Sequence, residues 1–435
     1  MVLPSFKKKP MNFTIITQGC KVNQYDSDII SAAMIKQGFT AAGENEIPDI
    51  VIVNTCTVTA ASDKKGFHIF SKIKRNYPNA ITVVTGCYPQ AFPDNLPKNA
   101  ELAVGNGSKE KIPLLIKEYL NKKVQASDIS ELGGAYEEPE ELSHCNKTRA
   151  YIKIEEGCNR FCSYCIIPFA RGRVRSRALQ NIARETEFHA RDGHKEVVLT
   201  GINLSCYGID LGLSLYDAVK AAAENPLIER VRLSSLEPEL LTEDIIEKLS
   251  GIKKLCPHFH LSLQSGCDDT LKRMNRHYST AEYKEIADNL RKYFPSCAIT
   301  TDVMVGFAGE TDREFKESMN FVQSIGFAKI HVFTYSVRPG TAAEKMDGQI
   351  DEKVKALRYK GMSIVAENVQ REFFTKNLNT VHYVLVERQT KPEFINGHTE
   401  NYIPVRIYGG EAKRHDIAAV KITKAFENYC EGVLI

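Results

Sequence analysis

The stretch YIKIEEGCNRFCSYCIIP, residues 151–168, reads as a short strand over its first five residues, and a loop follows that carries Cys158, Cys162 and Cys165. The thiols are separated by three and then two residues. In α/β sheets and barrels, the loops that leave the carboxyl ends of strands carry the chemistry, so the position of the motif matters as much as its spacing. Three thiolates on one loop can hold three irons of a 4Fe-4S cluster and leave the fourth iron open, whereas an electron-transfer cluster is closed by four cysteines. Structural zinc asks for four Cys or His ligands in paired knuckles. No local fourth ligand exists here, and the first candidate downstream, His189, is far along the chain.

Downstream of the motif, EVVLT, RVRLS, FHLSL, AITTDVMV and KIHVF are strand candidates separated by helix-length segments. With YIKIE they make six strand-helix units, which predict an open (βα)6-type barrel over residues 149–365. Upstream, FTIIT, a helical stretch over residues 26–37, IVIVN and ITVVTG predict a parallel α/β domain over residues 1–127. Each of these three strands runs into a cysteine: Cys20 in TQGCKVNQ, Cys56 in NTCTVT and Cys87 in TGCYPQ. One such cysteine reads as a small buried residue, but three at the carboxyl ends of parallel strands converge on the crevice and form a second cluster site. Residues 126–146 are acidic, contain Gly-Gly and Pro, and show no period, so a linker is expected over 128–148. After about Ala366, the runs TVHYVLVER, NYIPVRIYG and IAAVKITKAF predict a small antiparallel β-barrel over residues 366–435.

The composition is that of a folded globular chain, with 43% hydrophobic and 26% charged residues among 435. The amino-terminal residues lack the apolar stretch of a signal peptide, and no apolar run approaches the roughly 18 residues that span a bilayer. A cytoplasmic location is expected, where the 12 cysteines serve as ligands or buried thiols rather than disulfides. Cys145, Cys206, Cys256, Cys267, Cys297 and Cys430 show no ligand spacing. A formal net charge of +3 does not advertise a nucleic-acid binder, so any RNA contact must be local.

The Cx3Cx2C loop, with the aromatic Tyr164 before its last cysteine, resembles the radical S-adenosylmethionine superfamily. The whole chain resembles the methylthiotransferases, including the segment CIIPFARGRVRSR after the last cysteine. In that family an amino-terminal domain with three separated cysteines precedes the radical barrel and a small β-barrel called TRAM. The resemblance implies two 4Fe-4S clusters, a radical-generating one on Cys158, Cys162 and Cys165 and an auxiliary, sulfur-carrying one on Cys20, Cys56 and Cys87. It also implies S-adenosylmethionine as methyl donor and radical source, a low-potential donor such as flavodoxin or ferredoxin, and a sulfur source. The stretches TQGCKVNQYDSD and NTCTVTAASDKK are similar to those of enzymes acting on N6-threonylcarbamoyladenosine. That implies methylthiolation at C2 of this base at tRNA position 37, with the base out of the stack.

By the same resemblance, Gly201, Asn203, Ser235, Glu237, Gln264, Arg276 and the stretch from Asp302 to Gly306 surround the cosubstrate, although Glu237 or Asp302 also reads as a helix cap. Ser205 stands where the family commonly has Gly, and Ala308 where it has Pro. Arg171, Arg173, Arg175 and Arg177 form a run suited to phosphates and bases, or equally a salt-bridged face. Tyr402, Arg406 and Lys413 would supply an RNA-facing patch on the last domain. The alternatives are methylthiolation of isopentenyladenosine, methylthiolation of a ribosomal-protein aspartate, and a non-catalytic iron-sulfur RNA-binding sensor.

Overall fold

The structure, a computed structural model, describes residues 10–387, 389 and 393–435. It divides into two compact units, one of the chain up to His144 with Ile166–Arg173, the other of Cys145–Cys165 with Val174–Ile435.

The first unit is a six-stranded parallel sheet of β1 (Asn12–Thr17), β2 (Thr40–Ala41), β3 (Ile50–Thr55), β4 (Ile81–Gly86), β5 (Leu102–Val104) and β6 (Ala126–Asp128), in the order β2-β1-β3-β4-β5-β6. The runs IVIVNT and ITVVTG are buried along their whole length, as a sheet covered on both faces requires. Phe13, Ile30, Ile50, Ile52 and Ile116 pack on one face, and Val51, Val53, Phe70, Ile73 and Val84 on the other. The helix expected over 26–37 is Lys21–Lys36, and the residue at its N-cap is Cys20. Cysteine is not a capping residue, so the sequence carries no start signal there. Of the expected linker region, Ala126–Asp128 is a strand paired to β5, and residues 129–149 have no regular element. Glu140 and Glu141 of that stretch pair with Lys36 at 3.1 and 2.9 Å.

In the second unit all six expected barrel strands are present. It opens with β7 (Ala150–Lys153), followed by a short antiparallel pair, β8 (Glu155–Glu156) and β9 (Arg175–Ser176). Then come β10 (Glu196–Thr200), β11 (Arg230–Leu233), β12 (Ser235–Leu236), β13 (His258–Leu261), β14 (Ala298–Val305) and β15 (Lys329–Thr334). They pair in parallel as β11-β10-β7 and β12-β13-β14-β15. Reciprocal capping boxes, Ser214 with Asp217, Ser279 with Glu282 and Thr311 with Glu314, start three of the covering helices.

The last strands, β16 (Val381–Val386), β17 (Ile395–Thr399), β18 (Pro404–Tyr408), β19 (Ile417–Ala425) and β20 (Cys430–Leu434), close a barrel in the order β16-β17-β18-β20-β19. The expectation of an antiparallel barrel holds except for β18 and β20, which pair in parallel. A boundary at residue 366 falls inside a helix, because Glu352–Lys376 is continuous. Val365, Ala366 and Val369 bury against the central core, and Phe374 enters the small barrel's core, so the apolar residues there mark a helix face rather than a strand.

The small barrel seats on the amino-terminal ends of the central strands. Glu196, which opens β10, has no exposed surface and receives Arg232 at 2.7 Å, Arg149 at 2.8 Å and Arg230 at 3.5 Å. Arg149 also pairs with Glu387 at 2.6 Å, and Arg232 donates to the carbonyl of Glu400 at 3.0 Å. Tyr402, in the left-handed region at φ 70°, stacks on His398 and His258 beneath the guanidinium groups of Arg149 and Arg232. The expectation that Tyr402 faces RNA is therefore corrected: its ring is a plug between the small barrel and the central one.

Candidate metal centres at strand carboxyl ends

In the first unit, Cys56 and Cys87 follow β3 and β4 without a spacer, and Cys20 lies three residues beyond β1. Gly19 and Gly86 make the placement possible. Both have positive φ, 97° and 96°. A Cβ on Gly19 would lie 2.7 Å from the Cβ of Cys56, and one on Gly86 would lie 2.5 Å from the carbonyl of Thr55. Cys20 is exposed, whereas Cys56 and Cys87 are buried. Burial pushes the Cys56 thiol up to about 11, and the neighbouring Cys87 adds to the shift. A group that replaces those protons with metal relieves the crowding of the three thiols. Buried polar atoms of Gln18, Asn54 and Thr85 at these strand ends have no hydrogen-bond partner among the described residues. Three convergent thiols, a glycine-lined approach and unsatisfied polar atoms fit a bound cluster.

A cation completes this centre. The guanidinium of Arg171 has no exposed surface, and its Nε donates to Cys87 Sγ at 3.2 Å. Its Nη1 pairs with Asp26 at 2.8 Å, and Nη2 donates to Asn23 Oδ1. Asp26 also holds Lys109 at 2.6 Å. Of the expected RNA-binding run, Arg171 is thus withdrawn into the fold. Arg177 is fully buried as well, paired with Glu185, which in turn neighbours His189 at 3.6 Å. Both residues are corrections to the expected basic patch, since their charges are satisfied inside the protein. Arg173 is exposed and Arg175 half-buried.

In the second unit the Cys158–Cys165 loop is pinned on both sides. The Ser163 N–H donates to the carbonyl of Met274 at 3.0 Å, its hydroxyl donates to the carbonyl of Arg273, and its carbonyl accepts from the Ala343 N–H at 2.7 Å. Tyr164 packs with Met274, Met304, Phe307 and Tyr335, meeting Phe307 edge-on at 6.3 Å. The turn needs a left-handed residue at Phe161, φ 49°, and Asn275 holds its carbonyl at 3.0 Å. Burial pushes the Cys158 thiol up to about 11, opposed by hydrogen bonds from the Arg160 backbone and the Asn203 side chain, the latter at 3.8 Å. Arg276 donates to Cys162 Sγ at 3.2 Å and pairs with Glu237. Burial raises the Glu237 carboxyl to about 7, with Arg276 opposing the rise and Glu239 adding to it.

The residues expected around the cosubstrate fall into two sets. Asn203 Oδ1 and Gln264 Oε1 are buried without a hydrogen-bond partner among the described residues, as are Thr200 Oγ1 and Ser234 Oγ nearby on the strand ends. Such atoms are rare unless something binds them. Gly201, by contrast, is explained by packing, because a Cβ there would lie 2.7 Å from the fully buried Glu155. At Gly306, φ 72°, a Cβ would strike the Lys355 stem at 2.5 Å. Ser235 stands in register with His260, whose Nε2 meets Asp302 at 3.3 Å. His260, Asp302 and His331 offer ligand atoms within 4.8 Å of one another. Sequence reasoning missed Ser205's role: its hydroxyl donates to the carbonyl of Glu237 at 3.0 Å and accepts that residue's N–H at 2.8 Å. The serine thus braces Glu237, a function no glycine could supply. Ala308 is buried, and its carbonyl accepts from Arg273 at 3.2 Å. Cys206, buried, has its thiol raised to about 12 by burial. Arg406 lies over Tyr429 at 3.6 Å, beside Phe394.

Three family models match the chain: the Radical SAM superfamily over residues 152–322, the uncharacterized protein family UPF0004 over 12–105, and the TRAM domain over 376–435. The chain is 35% identical to a threonylcarbamoyladenosine tRNA methylthiotransferase, MtaB, of Bacillus subtilis, covering 96% of this chain and 95% of the relative. It is 36% identical to that of Thermotoga maritima, with 94% of each covered. A tRNA-2-methylthio-N(6)-dimethylallyladenosine synthase of Pelotomaculum thermopropionicum is 32% identical, with 97% of each covered. Among solved structures, the radical S-adenosylmethionine methyltransferase TsrM of Kitasatospora setae, with cobalamin and a 4Fe-4S cluster, shares the fold at a TM-score of 0.59 and 14% identity, covering 77% of this chain and 74% of that one. Among the described residues no helix is long and apolar enough to cross a membrane.

Proposed function

Because the chain belongs to the radical S-adenosylmethionine tRNA methylthiotransferases, we propose that its substrate is N6-threonylcarbamoyladenosine at position 37 of tRNA, which it converts at C2 to the 2-methylthio form in the cytoplasm. The observation that carries this choice is the likeness, over nearly the whole chain, to relatives named for that base, joined to the stretch TQGCKVNQYDSD around Cys20. Cys158, Cys162 and Cys165 would hold the radical-generating cluster, and Cys20, Cys56 and Cys87 the auxiliary one. Once loaded, the first cluster would supply the electron that turns one cosubstrate molecule into a 5′-deoxyadenosyl radical, and a second cosubstrate molecule would supply the methyl group.

The chain's own residues then have separable tasks. Asn203 and Gln264 would bind the cosubstrate with the atoms they leave unsatisfied. Glu237 and Arg276 would orient it, Glu237 held by Ser205 and Arg276 by the loop thiol it contacts. Gly201 and Gly306 would contribute backbone, and Ser235 and Asp302 would line the same strand ends. Arg173, Arg175 and the Arg406–Tyr429 stack are the candidates for tRNA, since Arg over an aromatic ring is a surface on which bases stack. The working division is an auxiliary-cluster domain over 1–127, a linker over 128–148, a radical barrel over 149–365 joined through the helix Glu352–Lys376, and the TRAM barrel after it. A flavodoxin or ferredoxin would reduce the clusters, and a separate sulfur source would replenish the sulfur.

Mass spectrometry of nucleosides from tRNA of cells with and without the gene tests the substrate. The expected result is loss of 2-methylthio-N6-threonylcarbamoyladenosine with accumulation of its precursor. Loss of the isopentenyl form instead would reassign the base.

A further inference from the structure

We propose that Arg171 is a positioning residue of the auxiliary centre, a permanently charged, water-free hydrogen-bond donor to Cys87 that raises the reduction potential of a cluster bound there. The inference rests on the reading of Cys20, Cys56 and Cys87 as cluster ligands. Three thiolates outweigh the charge of an oxidised 4Fe-4S core, so the loaded site is an anion, and reduction makes it more negative. Net charge, hydrogen bonds to sulfur and solvent exposure are the levers by which a protein sets such a potential. Arg171 acts on the first two. Its guanidinium keeps its charge at any working pH. Its Nε–H points at Cys87 Sγ from 3.2 Å, and the side chain has no exposed surface to let water screen it.

The surroundings fix this cation in place. Asp26 takes Nη1 at 2.8 Å, Asn23 accepts from Nη2, and Asn106 Nδ2 donates to the carbonyl of Ala170, the residue just before, at 2.6 Å. Asp26 also carries Lys109 at 2.6 Å, so the carboxylate that holds the guanidinium is itself shared between two cations. A bland alternative is a buried staple that merely holds Ile166–Arg173 to the first unit. That role would affect stability and leave the electronic properties of the cluster alone.

The test uses the full chain with Cys158, Cys162 and Cys165 changed to Ala, so that only the auxiliary centre can load. After anaerobic reconstitution, iron content and the reduced-state EPR signal are recorded, and the midpoint potential is measured by EPR-monitored titration. A parent that binds no iron refutes the auxiliary-cluster reading, and the proposal with it. With the cluster present, Arg171→Gln should lower the potential, by about 59 mV for a tenfold shift of the one-electron equilibrium, because the cation and its hydrogen bond favour the more negative reduced state over the oxidised one. Arg171→Lys, which keeps the charge, should recover much of the difference. A loaded Arg171→Gln protein at the parent potential overturns the proposal. If that variant does not load, the lysine variant decides: loading at a potential near the parent's supports a role for charge, whereas an empty site or a potential far below the parent's overturns it.

Discussion

Arg276 is where a single side chain serves two parts of the radical site at once. It reaches Cys162 Sγ with Nη1 and Glu237 with Nη2, and its Nε donates to Tyr278 at 3.1 Å. A planar fork with fixed donor directions can hold a thiolate and a carboxylate together, and the point charge of a lysine cannot. Arg276→Lys should therefore keep the charge and lose the geometry. The expected outcome is a fall of about tenfold to a hundredfold in 5′-deoxyadenosine formation, the usual cost of removing a partner that orients a metal ligand, with the iron content of the barrel unchanged. Anaerobic assays with S-adenosylmethionine and dithionite, beside an iron determination, check it. Parent-like rates would show that the contact to Cys162 is incidental. The same scale explains why the arginine run divides between its two readings. Its sequence spacing is uniform, but Arg171 finds Asp26 145 positions away and Arg177 finds Glu185 eight positions away. Partners that far apart leave no local trace, so four similar residues acquired different fates.

Among the elements, the strands were legible and their turns only partly so. Runs such as IVIVNT, ITVVTG and AITTDVMV are rich in β-branched residues and bounded by turn residues, and each is a strand in the structure. That was enough to put six cysteines at strand ends. The short strands β2, β5 and β12, of two or three residues, carry too little pattern to be seen, and the boundary expected at 366 falls inside the helix Glu352–Lys376. What aims each thiol is the turn between strand and cysteine. At Gly86 the backbone has φ 96°, and a Cβ would lie 2.4 Å from Asn54 Oδ1 and 2.5 Å from the carbonyl of Thr55. Neither neighbour has room to give, since both belong to the buried β3 strand. Gly86→Ala should then destabilise the first unit by roughly 1–3 kcal/mol through the unfavourable φ alone, and more through the clash. It should also displace Cys87. Urea unfolding and iron content of the auxiliary centre report the two effects separately. An alanine variant with full iron would mean that the turn tolerates another backbone path without moving the thiol.

On the scale of the whole molecule, a buried charge cluster helps tie the small barrel to the central one in the second unit, and this has a consequence for its behaviour in acid. Although burial opposes it, Arg232 and then Arg149 hold the Glu196 carboxyl down to about 2, from an ordinary value of 4.5. Glu387 is likewise held near 2, by His398 and Arg149 against its own burial. A carboxylate whose folded value lies below its unfolded one contributes stability above the unfolded value. That contribution is lost as pH falls through the folded value. For Glu196 the window runs from 4.5 down to about 2, with a full contribution on the order of 3 kcal/mol. Calorimetry of the whole chain should show the melting temperature falling steeply across that window, with the TRAM barrel and the central barrel melting together because Arg149 and Arg232 belong to both sides of the seam. Glu196→Gln leaves Arg149, Arg230 and Arg232 around a neutral amide. Removing one member of a buried ion cluster costs about 3–5 kcal/mol, since the stranded charges remain in the interior. The variant should melt lower than the parent at pH 7 and respond less to acid between pH 5 and 2. A variant that matched the parent in both respects would show that the charge cluster adds nothing to the seam, leaving the helix Glu352–Lys376 and the ring of Tyr402 against His258 and His398 to hold the small barrel to the large one.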